Sequence, residues 1–276
     1  MALMLGEALA RIAALMRKDV ADLSRRPGAV LPAFAMAFGA LAPAFFVVVG
    51  APFIAGRGLA ESDEFTEAAS SAVELLPEIA SLTDQALIQA FLFHQFALLL
   101  LLVPVVASMT LATHAVIGEK QSRSLEPLLA TPLSTAELLA AKTLTPLLFA
   151  ALLMWTTLGV YVAGVWLAAE PGVWLTLLSA RSFLMFVWLG PLAALSALLL
   201  SVIVSSRVND ARSAQQLASL ILLPITAAFV LQMIRFSVVG NSTLMTTSIA
   251  LAIFNLALLW AGVRVFRRET ILTRWR

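Results

Sequence analysis

The sequence has no cysteine, one tyrosine and two histidines in 276 residues, and only 12% of it is charged. Without cysteine there is neither a disulfide framework nor a thiolate metal site. His94 and His114 lie about 20 residues apart on one apolar run, near its opposite ends, so they do not share a metal or catalytic site; both read as polar contacts within a bundle. None of the 13 glycines precedes a Lys followed by Ser or Thr, which excludes a phosphate-binding loop. Nucleophile-elbow and zinc-helix motifs are missing as well, which argues against an intramembrane enzyme. The shortage of charge excludes a water-solvated fold. With 61% hydrophobic residues and a mean hydropathy of +0.96, too little polar surface exists to cover a soluble domain.

What is present is a set of six long apolar runs. A helix needs about 20 apolar residues to cross the hydrocarbon core, and residues 29–54, 87–117, 143–169, 182–205, 213–239 and 244–265 each qualify. They lack the alternation of barrel strands and so read as helices. The predicted fold is all-α, one polytopic membrane domain over residues 1–276. No span carries a charge near its centre, where one would cost about 3 kcal/mol. No inverted repeat is visible either. Both features separate the chain from ion-coupled pumps and secondary transporters. Gln89, His94 and Gln95 lie toward one end of span two, and Pro104 predicts a kink near its middle.

Residues 4–26 precede the first run and predict a helix that lies on the membrane. At 100° per residue, Leu9, Ile12, Ala13, Met16, Val20 and Leu23 share one face. Arg11, Arg17, Lys18, Arg25 and Arg26 occupy the remainder as membrane-surface anchors, each contributing about 1 kcal/mol beside anionic lipid. A docking role for this helix stays open beside plain anchoring. Eight charges before Ala29, with no apolar core among them, predict that this is not a secretory signal peptide.

Charge placement sets the orientation. Five basic residues precede span one, three (Lys120, Arg123, Lys142) lie between spans two and three, two (Arg207, Arg212) between four and five, and five (Arg264, Arg267, Arg268, Arg274, Arg276) lie at the end of span six or beyond it. Only Arg57, Arg181 and Arg235 fall on the other side, together with seven acidic residues between Glu61 and Asp84. Basic residues concentrate in the cytoplasm, so both termini are predicted inside. An even number of spans requires the same. A net charge of +2 gives no case for nucleic acid as a partner.

In the outer loop, Phe65, Ala69, Ala72, Leu76 and Ile79 recur at helical spacing, and Ser81 with Asp84 has the spacing of a capping box before span two. The acidic residues there read as a solvated, topology-setting face, with attraction of cationic substrates as the other option. Asn241-Ser-Thr243 matches a glycosylation acceptor, in a loop short enough for coincidence.

The most polar interruption is "GEKQSRSLEPLLATPLSTAELLAAK", residues 118–142. Ser124 can cap a short helix in which Pro127 sits harmlessly in the first turn. Leu125, Leu128 and Leu129 then form one stripe, with Glu126 near the positive helix end. Thr131-Pro132 stops that helix. Ser134 and Glu137 form a capping box for the next one, and Lys142 is placed to reach the headgroups. Leucines exposed this way need a cover, either lipid or a partner protein.

This stretch resembles the first cytoplasmic loop of ATP-binding cassette (ABC) permeases of the type-2 exporter superfamily. That loop reads as Gly-Glu-Lys, a polar stretch, Leu-Glu, two or three Leu, a small residue, Thr-Pro and a Lys opening the next helix. "SSRVNDARSAQQLASLILLP", residues 205–224, is similar to the family's fourth-to-fifth connection, and "MRKDVADLSRRPG" to its elbow helix. The resemblance implies six spans behind an elbow helix, working as a dimer with a second copy or a paralogue. It also implies two copies of a separate soluble ABC ATPase that binds ATP and Mg, so this chain itself would hold no cofactor and be no enzyme. Coupling to the ATPase would fall on Glu119, Arg123, Leu125, Glu126, Leu128, Leu129, Thr131 and Pro132. Pro127 departs from many members, which bears on the length of the coupling helix. The implied place is the cell membrane of a prokaryote.

The resulting expectation is an export permease for a hydrophobic or amphipathic substrate, with spans one, two and five around a path. Gln89, Gln95, Gln215, Gln216 and Gln232 are its candidate polar contacts, or else interhelical hydrogen bonds. The rival reading is a non-transporting assembly or signalling subunit using the same ATPase; an ATP-independent channel is a third. The topology can be checked directly, because any introduced cysteine is unique. Ser70→Cys should react with an impermeant thiol reagent in intact cells and Ser122→Cys should not. The reverse pattern would overturn the orientation.

Overall fold

The computed structural model describes residues 2–24, 27–56, 58–121, 135–205, 213, 216, 219–235 and 238–265. Helix α1 (Ala2–Ser24) comes first. Span one is built from α2 (Pro27–Phe45), a π-helical turn (Phe46–Gly50) and α3 (Ala51–Ala55). A hairpin follows, called the outer hairpin after the side on which charge placement predicts it, with α4 (Asp63–Ala72) and a 3-10 turn (Pro77–Ile79). Span two joins α5 (Asp84–Ala97) to α6 (Leu102–Gln121) through a 3-10 turn at Leu98–Leu101. Helix α7 (Thr135–Ala168) is unbroken over 34 residues. Short helices α8 (Val173–Thr176) and α9 (Ala180–Phe183) lead through a π-helical turn (Leu184–Leu189) into α10 (Gly190–Ser205). A 3-10 turn (Ser219–Ile221), α11 (Leu222–Arg235) and α12 (Asn241–Val265) complete the described elements, which include no strand.

Five helical runs are long and apolar enough to cross a membrane: Val30–Ala55, Asp84–Ala115, Ala140–Ala168, Ala180–Ser205 and Asn241–Gly262. They match five of the six expected spans. The run expected at 213–239 appears as α11, only 14 residues long, and part of that range lies outside the described residues.

Proline explains where these helices break. A helical proline gives no hydrogen bond to the carbonyl four residues earlier, and its ring crowds that carbonyl. For Pro52, Pro104, Pro191 and Pro224 that carbonyl belongs to Val48, Leu100, Val187 and Leu220. Each of these lies within one of the four π or 3-10 turns of the spans. The chain resumes as α-helix with the proline in the first turn, where the missing N–H does no harm. The kink expected at Pro104 therefore takes the form of the 3-10 turn Leu98–Leu101. Pro32, Pro43 and Pro146 remain inside regular helix.

Span two is the axis of the bundle. Its apolar window is 89% buried within the chain, against 28%, 39% and 22% for spans one, three and six. Helix α6 packs on α10, α7 and α2. Small residues permit the approach: Ala107 and Ala112 of α6, and Ala193, Ala194 and Ala197 of α10, are all buried. Ser108 Oγ crosses the same contact to donate to the Ala194 carbonyl at 2.9 Å.

The stripe expected in the outer hairpin is buried, with Ala69, Leu76 and Ile79 at 0% exposure. The capping box expected at Ser81 does not form. Thr83 is the N-cap and Asp84 carries φ 49°, a left-handed conformation Asp tolerates better than most residues. The turn into span two is thus made at Asp84 itself, and the helix begins two residues later than the capping box implies. At the other end of the bundle, α1 packs on α7. Lys142 was expected to reach lipid headgroups. Instead its ammonium is buried, 3.1 Å from Asp19 Oδ1 and 3.4 Å from Oδ2.

Two glycines of α7 make opposite demands. A Cβ on Gly164 would stand 2.5 Å from Cζ of Phe45, whose ring is already held by Phe93 and Tyr161 at centroid distances of 5.7 and 5.8 Å. A Cβ on Gly159 would meet nothing within 4 Å. Gly164→Ala should therefore cost about 1–3 kcal/mol through overpacking. Gly159→Ala should be neutral or gain up to about 1 kcal/mol from helix propensity. Thermal unfolding of the two variants in one detergent checks both signs.

Candidate functional site

Polar side chains inside an apolar bundle are costly and so point to where structure or function is set. The described ones collect at two levels. At the level of the outer hairpin, Glu78 reaches inward from the 3-10 turn to His94 of α5, with Oε1 3.7 Å from Nε2. That is ion-pair range but beyond hydrogen-bond reach. His94 Nδ1 contacts the Ala90 carbonyl at 2.9 Å. Arg181 of α9 is 3% exposed, within electrostatic reach of both groups, and donates to the Val239 carbonyl ahead of α12. One cluster thus joins the outer hairpin, span two, span four and the chain leading into span six. The sequence reads His94 as a polar contact within the bundle; the outer hairpin folds inward and makes Glu78 one of its neighbours.

At the same end of the bundle an open cavity of about 480 Å³ lies between the ends of spans one, two and three. Val48, Pro52 and Phe53 line one wall, Gln85 and Gln89 another, and Glu170 closes it. Gln89 Oε1 accepts from the Glu170 N–H at 2.7 Å, satisfying a backbone donor just past the end of α7. A pocket of this size falls within the roughly 300–1,000 Å³ that holds small ligands. It can take an apolar body and offers amide and carboxylate groups at its rim.

Deeper in the bundle, polar groups serve the broken helices. Trp155 Nε1 donates to the Phe186 carbonyl, within the π-helical turn of span four, at 3.1 Å. Tyr161, fully buried, donates to the Phe93 carbonyl at 2.7 Å, just ahead of the 3-10 turn in span two. Asn255 of α12 donates to the Leu192 carbonyl and accepts from Ser196 Oγ, both at 2.9 Å.

The sequence-derived candidates distribute unevenly over this picture. Gln89 lines the outer cavity, and Gln95 is 1% exposed inside span two. Gln216 is exposed, Gln232 lies on α11 with its side chain outside the described residues, and Gln215 lies outside them altogether. Arg17 and Lys18 are exposed on α1 and Arg11 is half-buried, while Arg25 and Arg26 are not among the described residues. Glu119 falls on the last turn of α6 by its backbone alone. Arg123, Leu125, Glu126, Leu128, Leu129, Thr131 and Pro132 lie outside the described residues. Arg181, Glu78, Tyr161 and Asn255 were missed. A lone Asn in an otherwise apolar span, and an Arg at the start of one, were the signals available for two of them.

The protein-family model described as ABC-2 family transporter protein matches residues 67–260. The chain belongs to the ABC-2 transporter family. The match runs from the outer hairpin through span six and so contains both the outer cluster and the 118–142 stretch. No curated protein and no solved structure matches the chain. As a member of this family it is the multi-pass membrane component, the permease, of an ABC transporter, whose ATPase is a different component.

The outer cluster yields a stability test. Removing one member of a buried charge group leaves the others uncompensated, at about 3–5 kcal/mol. Arg181→Met should lower the unfolding temperature of the permease in detergent. Adding Glu78→Gln should restore at least half of the loss, because the orphaned carboxylate is then neutral. An additive second loss would show that the two charges do not interact.

Proposed function

We propose that this permease exports a hydrophobic or amphipathic substrate, driven by two copies of a separate cytoplasmic ABC ATPase. Two permease chains, identical or paralogous, would enclose the path. Each would contribute six spans, with α11 as the core of the fifth and α1 as an elbow helix on the cytoplasmic surface. Both termini and residues 118–142 lie in the cytoplasm of this arrangement, and the outer hairpin faces the exterior of a prokaryotic cell membrane. The observation that carries the reading is the family match over 67–260, which spans the stretch with the Gly-Glu-Lys, Leu-Glu-Pro-Leu-Leu and Thr-Pro pattern.

In this reading the short helix around Leu125–Thr131 sits in a cleft of the ATPase. Closure of the ATPase pair on ATP pushes that helix, and the push passes into α7, which begins at Thr135. The two permease states differ in which end of the path is open, and ATP shifts the balance because it binds one state better. The outer cavity with Gln89 is then where a substrate with an apolar body would leave.

The test falls on Leu128. An Arg in an apolar protein contact has no partner for its charge, whereas on a lipid surface it can extend to phosphates. Leu128→Arg permease should insert at wild-type levels yet lose co-purification of the ATPase and its substrate-stimulated hydrolysis. Equal recovery and equal hydrolysis would make the segment a lipid-resting loop and not the coupling element. Transport in liposomes holding only the two components separates export from a mechanical role.

A further inference from the structure

A second cavity, of about 500 Å³, lies where α1 crosses spans one and three at the opposite end of the bundle from the outer cluster. Met16 and Val20 of α1, Val30 of α2, and Leu148, Phe149 and Leu152 of α7 form it. Thr145 also lines it, but its hydroxyl turns back to the Ala141 carbonyl at 3.4 Å, so the surface presented is apolar throughout. Residues 145, 148, 149 and 152 lie along one face of α7 over two turns, about 10 Å along the span axis. The groove is therefore elongated in the direction in which lipid chains run. Its walls are open, with Val20, Leu148 and Leu152 at 57%, 51% and 61% exposure.

The charges around it are arranged with equal economy. Going round α1 at 100° per residue, Asp19 faces α7, where Lys142 neutralises it. Met16 and Val20 come next and face the groove. Arg17 follows some 60° beyond Val20, exposed, on the open rim. Lys18 lies on the far side of the helix. Among the described residues, Arg17 is thus the exposed cation that α1 sets beside the apolar groove.

We propose that this groove is a binding site for one anionic phospholipid of the leaflet in which α1 lies, an acyl chain against Leu148 and Leu152 and the headgroup phosphate on Arg17. The apolar walls select a hydrocarbon chain, and the rim cation selects a negative headgroup. The lipid completes the packing of α1, which the buried Asp19–Lys142 pair ties to α7. This inference rests on the permease lying in a bilayer, not on export, and its readout involves neither transport nor ATP.

The experiment is native mass spectrometry of the full-length permease released from vesicles of equal parts phosphatidylglycerol and phosphatidylcholine with matched chains. One retained lipid per chain is expected, favouring phosphatidylglycerol about fivefold, the effect of one basic residue at the surface. Arg17→Gln should abolish the preference while the lipid is still retained, and Lys18→Gln should leave it intact. Leu148→Trp should fill the groove and remove the retained lipid; Leu152→Trp repeats the test should the first variant insert poorly. No retained lipid, an equal effect of the two charge variants, or retention unchanged by either Trp would overturn the site. So would an efficient disulfide between two copies carrying Leu148→Cys, since the groove would then be a protein contact.

Discussion

Inside hydrocarbon there is no water to satisfy a backbone group, so every broken helical hydrogen bond must be answered by the chain itself. Among the described residues the permease breaks its spans four times, each time around the carbonyl four residues before a proline, and within one of these breaks a polar side chain supplies the missing donor. Trp155 supplies a donor to the Phe186 carbonyl within one break, and Tyr161 supplies one beside another. Asn255 bonds the Leu192 carbonyl one residue past Pro191. These bonds also join spans, because each donor comes from a different helix than its acceptor. Side-chain donors to backbone carbonyls, one of them inside a broken turn, thus help to fix the neighbours of spans two and four.

Much of this was legible in the sequence and the reasons are physical. Apolar runs of bilayer length identify spans, and five of them are found where hydropathy puts them. Proline marks helix irregularity because its chemistry is local. The stripe Phe65–Ile79 predicted the outer hairpin's buried face through its spacing alone. What could not be read was which span is central. Spans one and two have nearly the same hydropathy, 2.1 and 2.3, yet one is mostly exposed and the other enclosed. In a soluble protein the exposed face of a helix turns polar; in lipid it stays apolar, so the sequence carries no record of the side turned inward. The buried pairs Glu78–His94 and Asp19–Lys142 escaped for a related reason. Their members look like surface charges until the fold brings residues 16 and 123 positions apart together.

Among the described residues, buried charge lies at the two ends of the bundle. The outer group of Glu78, His94 and Arg181 and the inner pair of Asp19 and Lys142 leave an apolar middle between them. Buried ion pairs contribute little to net stability compared with apolar packing, yet breaking one is costly. Placed at the ends, they act as fixed joints: each holds a peripheral element, the outer hairpin or α1, to a span. A bundle that must tilt its spans while keeping its peripheral parts attached is served by joints of this kind.

Helix α7 connects these ideas mechanically. Its 34 residues extend about 51 Å, well beyond the roughly 30 Å of hydrocarbon, and Pro146 does not interrupt it. At one end Lys142 ties it to α1, and just past the other the Glu170 N–H is held by Gln89 of span two. Between them Trp155 and Tyr161 bind it to spans four and two. It is the only described span without a π or 3-10 turn besides span six, and so the one connected at both ends that can transmit a displacement without absorbing it. In the proposed orientation its first residues continue directly from the 118–142 stretch. A push on that stretch would then arrive at the outer cavity through α7 as a rigid-body movement, while the broken spans one, two and four, with their proline turns, supply the bending that such a movement requires.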